Sequence, residues 1–150
     1  MVDRQLALRV AAALIRRFEG FYRTPYLCPA GVPTIVYGST RYLDGRPVQL
    51  TDPPITREMA ELLLIRTVVR IYLPAVLRLC PGVDSPERLA ALIDFCYNLG
   101  GAALKISTLR KRVNSGRWTE VPAEFRKWNK GGGRVLRGLV LRREAEVELI

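Results

Sequence analysis

The sequence predicts an α+β fold, mostly helical, with a small antiparallel β-sheet lobe after the first helix and a long connecting helix. Three observations carry this. Apolar residues recur at helical spacing over most of the chain, proline and glycine crowd into residues 20–54, and no internal repeat or low-complexity tract interrupts the pattern. With 150 residues, 49% of them apolar and 25% charged, residues 1–150 suit a single domain able to bury its own core.

Taken in order, Leu6, Val10, Ala13, Leu14 and Phe18 define the apolar face of a first helix over 3–18, stopped by Gly20. From there to Pro54, nine prolines and glycines punctuate short runs such as TPYL and TIVYG, the texture of a turn-rich sheet. Thr56 caps the next helical stretch, ITREMAELLLIRTVVRIYLPAVLRLC, which Pro74 should kink or divide. Its arginines 66, 70 and 78 argue for a buried amphipathic helix over a membrane span. Ser85-Pro86 opens a further helix closed by Gly100-Gly101. Shorter helices are expected over 107–113, 119–128 and 139–150, with Gly131-Gly132-Gly133 as a loop.

Composition narrows the chemistry. There is no histidine, so Ser-His-Asp and Cys-His catalysis and histidine-bearing zinc sites are excluded. Cys28, Cys80 and Cys96 are widely spaced and form neither a CxxC pair nor a disulfide framework. Cys80 and Cys96 fall on apolar helical faces and read as core. The 24 basic against 14 acidic side chains, a net charge of +10, favour polyanionic partners without choosing among them. The basic clusters, Arg142-Arg143 included, read as solvated faces, and Trp118 and Trp128 as core anchors.

Glu19 stands at the C-terminus of the first helix between Phe18 and Phe21. The negative end of the helix dipole and apolar flanks both disfavour ionisation, as suits an acid that must donate a proton to a glycosidic oxygen. Alone, that signal also fits a solvated surface glutamate. The wider pattern is more specific: Glu19, eight residues, Cys28, five residues, Thr34, within FEGFYRTPYLCPAGVPTIVYGST.

This segment resembles the active-site hairpin of the phage-type lysozymes. IDFCYNLGGAALKISTLRKRVNSG and WNKGGGRVLRGLVLRREAE are similar to two later blocks of that family, in the same order. The resemblance implies a helical lobe and a β lobe flanking a cleft. It implies cleavage between N-acetylmuramic acid and N-acetylglucosamine in bacterial peptidoglycan, with no cofactor and no metal. Glu19 would be the general acid, Cys28 the second catalytic group (Asp in many relatives), and Thr34 the residue that orients water or sugar. Tyr37, Gly38, Tyr97, Asn98 and Arg143 are expected at the substrate, and Arg143 rather than Arg142 as the partner of Glu19. Without histidine, the Cys28 thiolate would need nearby cations or backbone donors.

Two departures stand out: Val36 replaces a usual glycine and Ser39 a usual histidine. Val36 would be costly if its position requires positive φ. The expected protein is a monomer that accumulates in the host cytoplasm and acts on the cell wall, drawn also to anionic envelope polymers. No nucleic acid is expected as a partner. A transglycosylase, an inactive peptidoglycan binder on the same fold and a basic nucleic-acid-binding protein stay open as alternatives.

Overall fold

Asp3 opens the first helix, α1 (Arg4–Phe18), by accepting the Leu6 N–H at 3.0 Å on its carboxylate. In the computed structural model, which describes residues 1–150, this helix buries Ala7, Ala11, Ala12, Leu14 and Ile15. Their mostly small side chains let it lie close against the central helix described below.

The chain then forms a hairpin of β1 (Tyr22–Leu27) and β2 (Pro33–Val36). The strands are antiparallel, pairing Tyr26 with Thr34 and Leu27 with Pro33, and the register is irregular between Tyr22 and Tyr26. The sheet expected over 20–54 is therefore only two strands. The remainder is turn, tied by bridges between Ile35 and Ser39 and between Arg41 and Pro47.

Thr56 caps α2 (Arg57–Thr67) by accepting the Met59 N–H. Pro74 does divide the long helix, through a widened turn. Residues Val68–Tyr72 are π-helical, and α3 (Leu73–Leu79) follows. The Leu73 N–H reaches back to the Val68 carbonyl, one residue further than an α-helix allows. Proline offers no N–H to the turn before it, and this wider step absorbs the mismatch.

The central helix, α4 (Pro86–Leu99), begins at the Ser85 cap and buries eight residues, Leu89 to Cys96, in succession. Gly100, at φ 89°, turns the chain, and α5 (Gly101–Ile106) starts at once where the sequence suggested a stop. Next come α6 (Thr108–Asn114), a 3₁₀ turn (Trp118–Glu120) and α7 (Val121–Arg126). The triple-glycine segment is a miniature hairpin, β3 (Lys130–Gly131) with β4 (Arg134–Val135), rather than a plain loop. The last helix, α8 (Arg137–Val147), begins earlier than expected and ends sooner.

One apolar core joins these helices. Phe95 of α4 meets Phe125 and Trp128 edge-on at 5.7 and 5.5 Å. Cys80 and Cys96 are wholly buried in that core, and burial pushes their thiols to about 11 and about 12. No helix is long and apolar enough to cross a membrane.

Candidate active site

Glu19 is the residue that ends α1. Its backbone has left the helix (φ −93°, ψ 141°) while its N–H still bonds the Ile15 carbonyl. That turn sends the side chain to the junction of two cavities. One, of about 310 Å³, is lined by Glu19, Tyr37, Gly38, Ser39, Tyr72 and Tyr97 among others. The other, of about 380 Å³, is lined by Glu19, Phe18, Asn98, Leu136 and Arg142 among others. Both volumes fall within the roughly 300–1,000 Å³ usual for ligand clefts. The Glu19 side chain keeps 28% of its surface exposed, so it is partly withdrawn and still reachable.

Its partner is Arg142, whose Nη1 donates to Glu19 Oε1 at 2.8 Å. This corrects the expectation for Arg143. Arg143 is wholly buried and engaged elsewhere: Nη2 donates to Asn98 Oδ1 at 2.9 Å and to Glu146 Oε1 at 2.7 Å. It cannot reach a substrate in the cleft. The helical period explains the exchange, because adjacent residues on α8 point about 100° apart and only one can face Glu19. The reading of Arg142-Arg143 as a solvated face is corrected by the same burial: their relative exposures are 3% and 0%.

Arg142 makes a second, stronger attachment. Its Nε and Nη2 donate to Asp94 Oδ2 and Oδ1 at 2.9 and 2.8 Å, a forked ion pair with a carboxylate that has no exposed surface. Asp94 lies in the apolar run of α4 and Glu146 on α8. Sequence reasoning singled out neither. A signal was present: Asp94 interrupts LAALIDFCYN, where a carboxylate surrounded by apolar neighbours requires a buried cation. Burial, the largest influence, raises the Glu146 carboxyl well above its ordinary range; Asp94 adds to this, and Arg143 opposes it.

The hairpin supplies the other candidates. Cys28 is partly exposed and sits in the turn between the strands, with its N–H on the Val32 carbonyl. Its thiol is drawn below the ordinary value by the backbone donors of Val32 and Ala30, and also by the Thr34 hydroxyl. Thr34 is 2% exposed, and its hydroxyl donates to the Val32 carbonyl at 2.8 Å. Thr34 therefore serves the Cys28 turn, and it does not line either cavity beside Glu19. Burial, and then the charges of Tyr22, Glu19 and Cys28, raise the phenol of Tyr26.

Tyr37 and Gly38 form one wall of the first cavity. Tyr37 is almost wholly buried and donates to Glu61 Oε1 at 3.2 Å, and Gly38 adopts φ 91°, a conformation that favours glycine. The Tyr97 hydroxyl donates to the Tyr37 carbonyl, joining α4 to the hairpin across the base of the cavity. Asn98 lines the second cavity and holds Arg143.

Both departures have structural consequences. Val36 has φ 61° and is wholly buried, so a β-branched residue occupies left-handed backbone. Ser39 is 7% exposed, and its Oγ has no hydrogen-bond partner.

A helical lobe and a hairpin lobe enclosing a cleft, with one glutamate at the end of the first helix, define a lysozyme-like class. The phage lysozyme family model matches residues 16–146, and the chain belongs to that family. An endolysin of Bacillus phage B103 is 39% identical over 137 residues, covering 89% of this chain. The chain spans about half of that relative's length, 49%. Among solved structures, the endolysin of Escherichia coli O157:H7 phage FAHEc1 is 32% identical with a TM-score of 0.82, covering 94% of this chain and 90% of that one. The muramidase domain of SpmX from Asticaccaulis excentricus is 30% identical with a TM-score of 0.76, covering 94% of each chain.

Proposed function

We propose that this protein is an endolysin that hydrolyses the β-1,4 bond between N-acetylmuramic acid and N-acetylglucosamine in bacterial peptidoglycan. The observation that carries this reading is the placement of Glu19, held by Arg142 through Oε1 at the meeting of two cavities. Family membership and the muramidase title of one structural relative support the choice of substrate.

In the reaction, protonated Glu19 donates its proton to the glycosidic oxygen as the bond to the sugar carbon breaks. Arg142 fixes Oε1, which leaves Oε2 to face the leaving oxygen. Positive charge grows on the sugar ring, and Cys28, as thiolate, offsets it from the hairpin side. Water then adds to the sugar carbon, and the thiolate accepts the proton that water loses. The Val32 and Ala30 amides favour the thiolate, and Thr34 braces the turn through its bond to the Val32 carbonyl. Tyr37, Gly38, Tyr97 and Asn98 border the sugars. No step calls for a metal or organic cofactor. Acting on the wall from within the host, such an enzyme would end in cell lysis.

Purified peptidoglycan incubated with the parent protein should release new reducing ends. Glu19→Gln should fold as the parent does and release them about 10²- to 10⁴-fold more slowly, the usual contribution of a positioned acid. Equal rates would contradict the assignment.

A further inference from the structure

The pairing of Glu19 with Arg142 poses a problem for the chemistry. A guanidinium 2.8 Å from a carboxylate favours the ionised carboxylate, whereas an acid catalyst must hold its proton. Arg142 is itself nearly buried, with 4% of its side chain exposed, so water does little to weaken its field.

Asp94 lies on the opposite edge of the same guanidinium. It takes two of the three nitrogens, Nε and Nη2, and leaves only Nη1 for Glu19. The two carboxylates are not equivalent. Asp94 is wholly buried and bound by both oxygens, while Glu19 is partly exposed and bound by one. Three elements fix the arrangement: the end of α1 carries Glu19, the middle of α4 carries Asp94, and α8 carries Arg142. We propose that Asp94 is a positioning residue for the acid step: it offsets the charge of Arg142, so that Arg142 holds Glu19 in place while Glu19 keeps the proton it donates.

The surroundings supply no substitute for Asp94. Glu19 is faced by Arg142 from α8, Tyr97 from α4, Tyr72 from the π-helical turn and Tyr26 from β1, and Arg41 lines the same cavity; the three tyrosines carry no charge near neutral pH, and Arg41 adds no negative charge. Asp94 is faced by Arg142 and, a turn along α8, by Glu146 with its own partner Arg143. Glu146 hydrogen-bonds Asp94 and pairs with Arg143, whose Nη2 donates to its Oε1 at 2.7 Å; its ion pair is with Arg143 and not with Arg142. Removing the charge of Asp94 therefore leaves Glu19 as the principal counter-charge of Arg142.

The proposal rests on Glu19 being the acid, and its test separates the two ideas. The rate of reducing-end release would be followed from acid to alkaline pH for the parent, Asp94→Asn, the double variant Asp94→Asn/Arg142→Gln, and Glu19→Gln. Asp94→Asn should lose activity on the alkaline side at a pH at least one unit lower than the parent, which at neutral pH is roughly a tenfold lower kcat, with KM little changed. Removing the arginine as well should return the alkaline limb to the parent position or above it, even if the maximal rate is lower. Should Asp94→Asn prove too unstable to assay, the double variant, with no buried unpaired charge, still reads the position of the limb. A uniform loss at every pH in Asp94→Asn, or a double variant displaced like the single one, would overturn the proposal. Undiminished activity in Glu19→Gln would instead remove the reading beneath it.

Discussion

The two candidate groups, Cys28 on the hairpin and Glu19 at the end of α1, are held by different means. On the hairpin, Cys28 is placed by local backbone: its N–H bonds the Val32 carbonyl and its carbonyl accepts the Gly31 N–H, while backbone donors of Val32 and Ala30 lower its thiol. On the helical side, Glu19 is held by side chains from distant parts of the sequence, through Arg142 to Asp94. Backbone donors survive many substitutions, because any residue provides an N–H. A buried ion pair does not, since loss of one member strands the other without solvent. Val36, in the hairpin, and Ser39, just after it, are the two departures noted in the sequence, whereas on the helical side Arg142 and Arg143 are each paired with an acid.

This contrast can be broken by substitution, and the largest effect should come from the helical side. Arg142→Met strands Asp94, and urea unfolding should show a loss of about 3–5 kcal/mol, in keeping with other broken buried pairs. A change below 1 kcal/mol would mean that the layer is not the rigid half of the site. On the hairpin the expected loss is in rate and not in stability. Cys28→Ala should cut reducing-end release by about 10²-fold, within the range for a positioned proton acceptor, while Cys28→Asp retains most of it. If Cys28→Ala digests peptidoglycan as fast as the parent, the hairpin contributes no chemistry.

Alkylation sharpens the comparison without mutation. The Cys28 thiol lies below the ordinary value and is partly exposed, whereas the thiols of Cys80 and Cys96 stand at about 11 and about 12 in the core. A thiolate reacts and a thiol does not, so the rate should rise through a midpoint below that of free cysteine. Mass spectrometry of the native protein should find one label, on Cys28, together with loss of activity. Labelling of Cys80 or Cys96 first would contradict the burial pattern.

The smallest effect concerns Val36. In ordinary backbone, glycine is less stable than alanine by about 0.5–1 kcal/mol, but a Cβ in left-handed backbone costs about 1–2 kcal/mol. At φ 61° the order should invert, with Val36→Gly more stable than Val36→Ala by about 0.5–1 kcal/mol in thermal unfolding. Alanine proving the more stable would show that residue 36 does not hold this conformation in solution.

The same division explains what was legible in the sequence. Local features came through well: Ser85-Pro86 and Thr56 announced their helices, and Pro74 announced a break. The candidate residues of the hairpin were named from its resemblance to the phage-type lysozyme hairpin, a stretch contiguous in the sequence. Pairings across the fold were not. Arg142 and Arg143 are adjacent and chemically identical, and only the rotation of α8 against α1 and α4 decides which one meets Glu19. Pro74 signalled a break, but not that the break would take the form of a π-helical turn. Asp94 is the instructive omission, since its apolar neighbours should have flagged it as half of a buried pair.

The account depends on one carboxyl group delivering a proton to a sugar–sugar bond that water then closes. Digestion of purified peptidoglycan in ¹⁸O-enriched water, followed by mass spectrometry of the fragments, tests this directly. The parent should yield muramic acid ends carrying one heavy oxygen, and Glu19→Gln almost none. Anhydro ends without the label, or equal labelling by the two proteins, would contradict it.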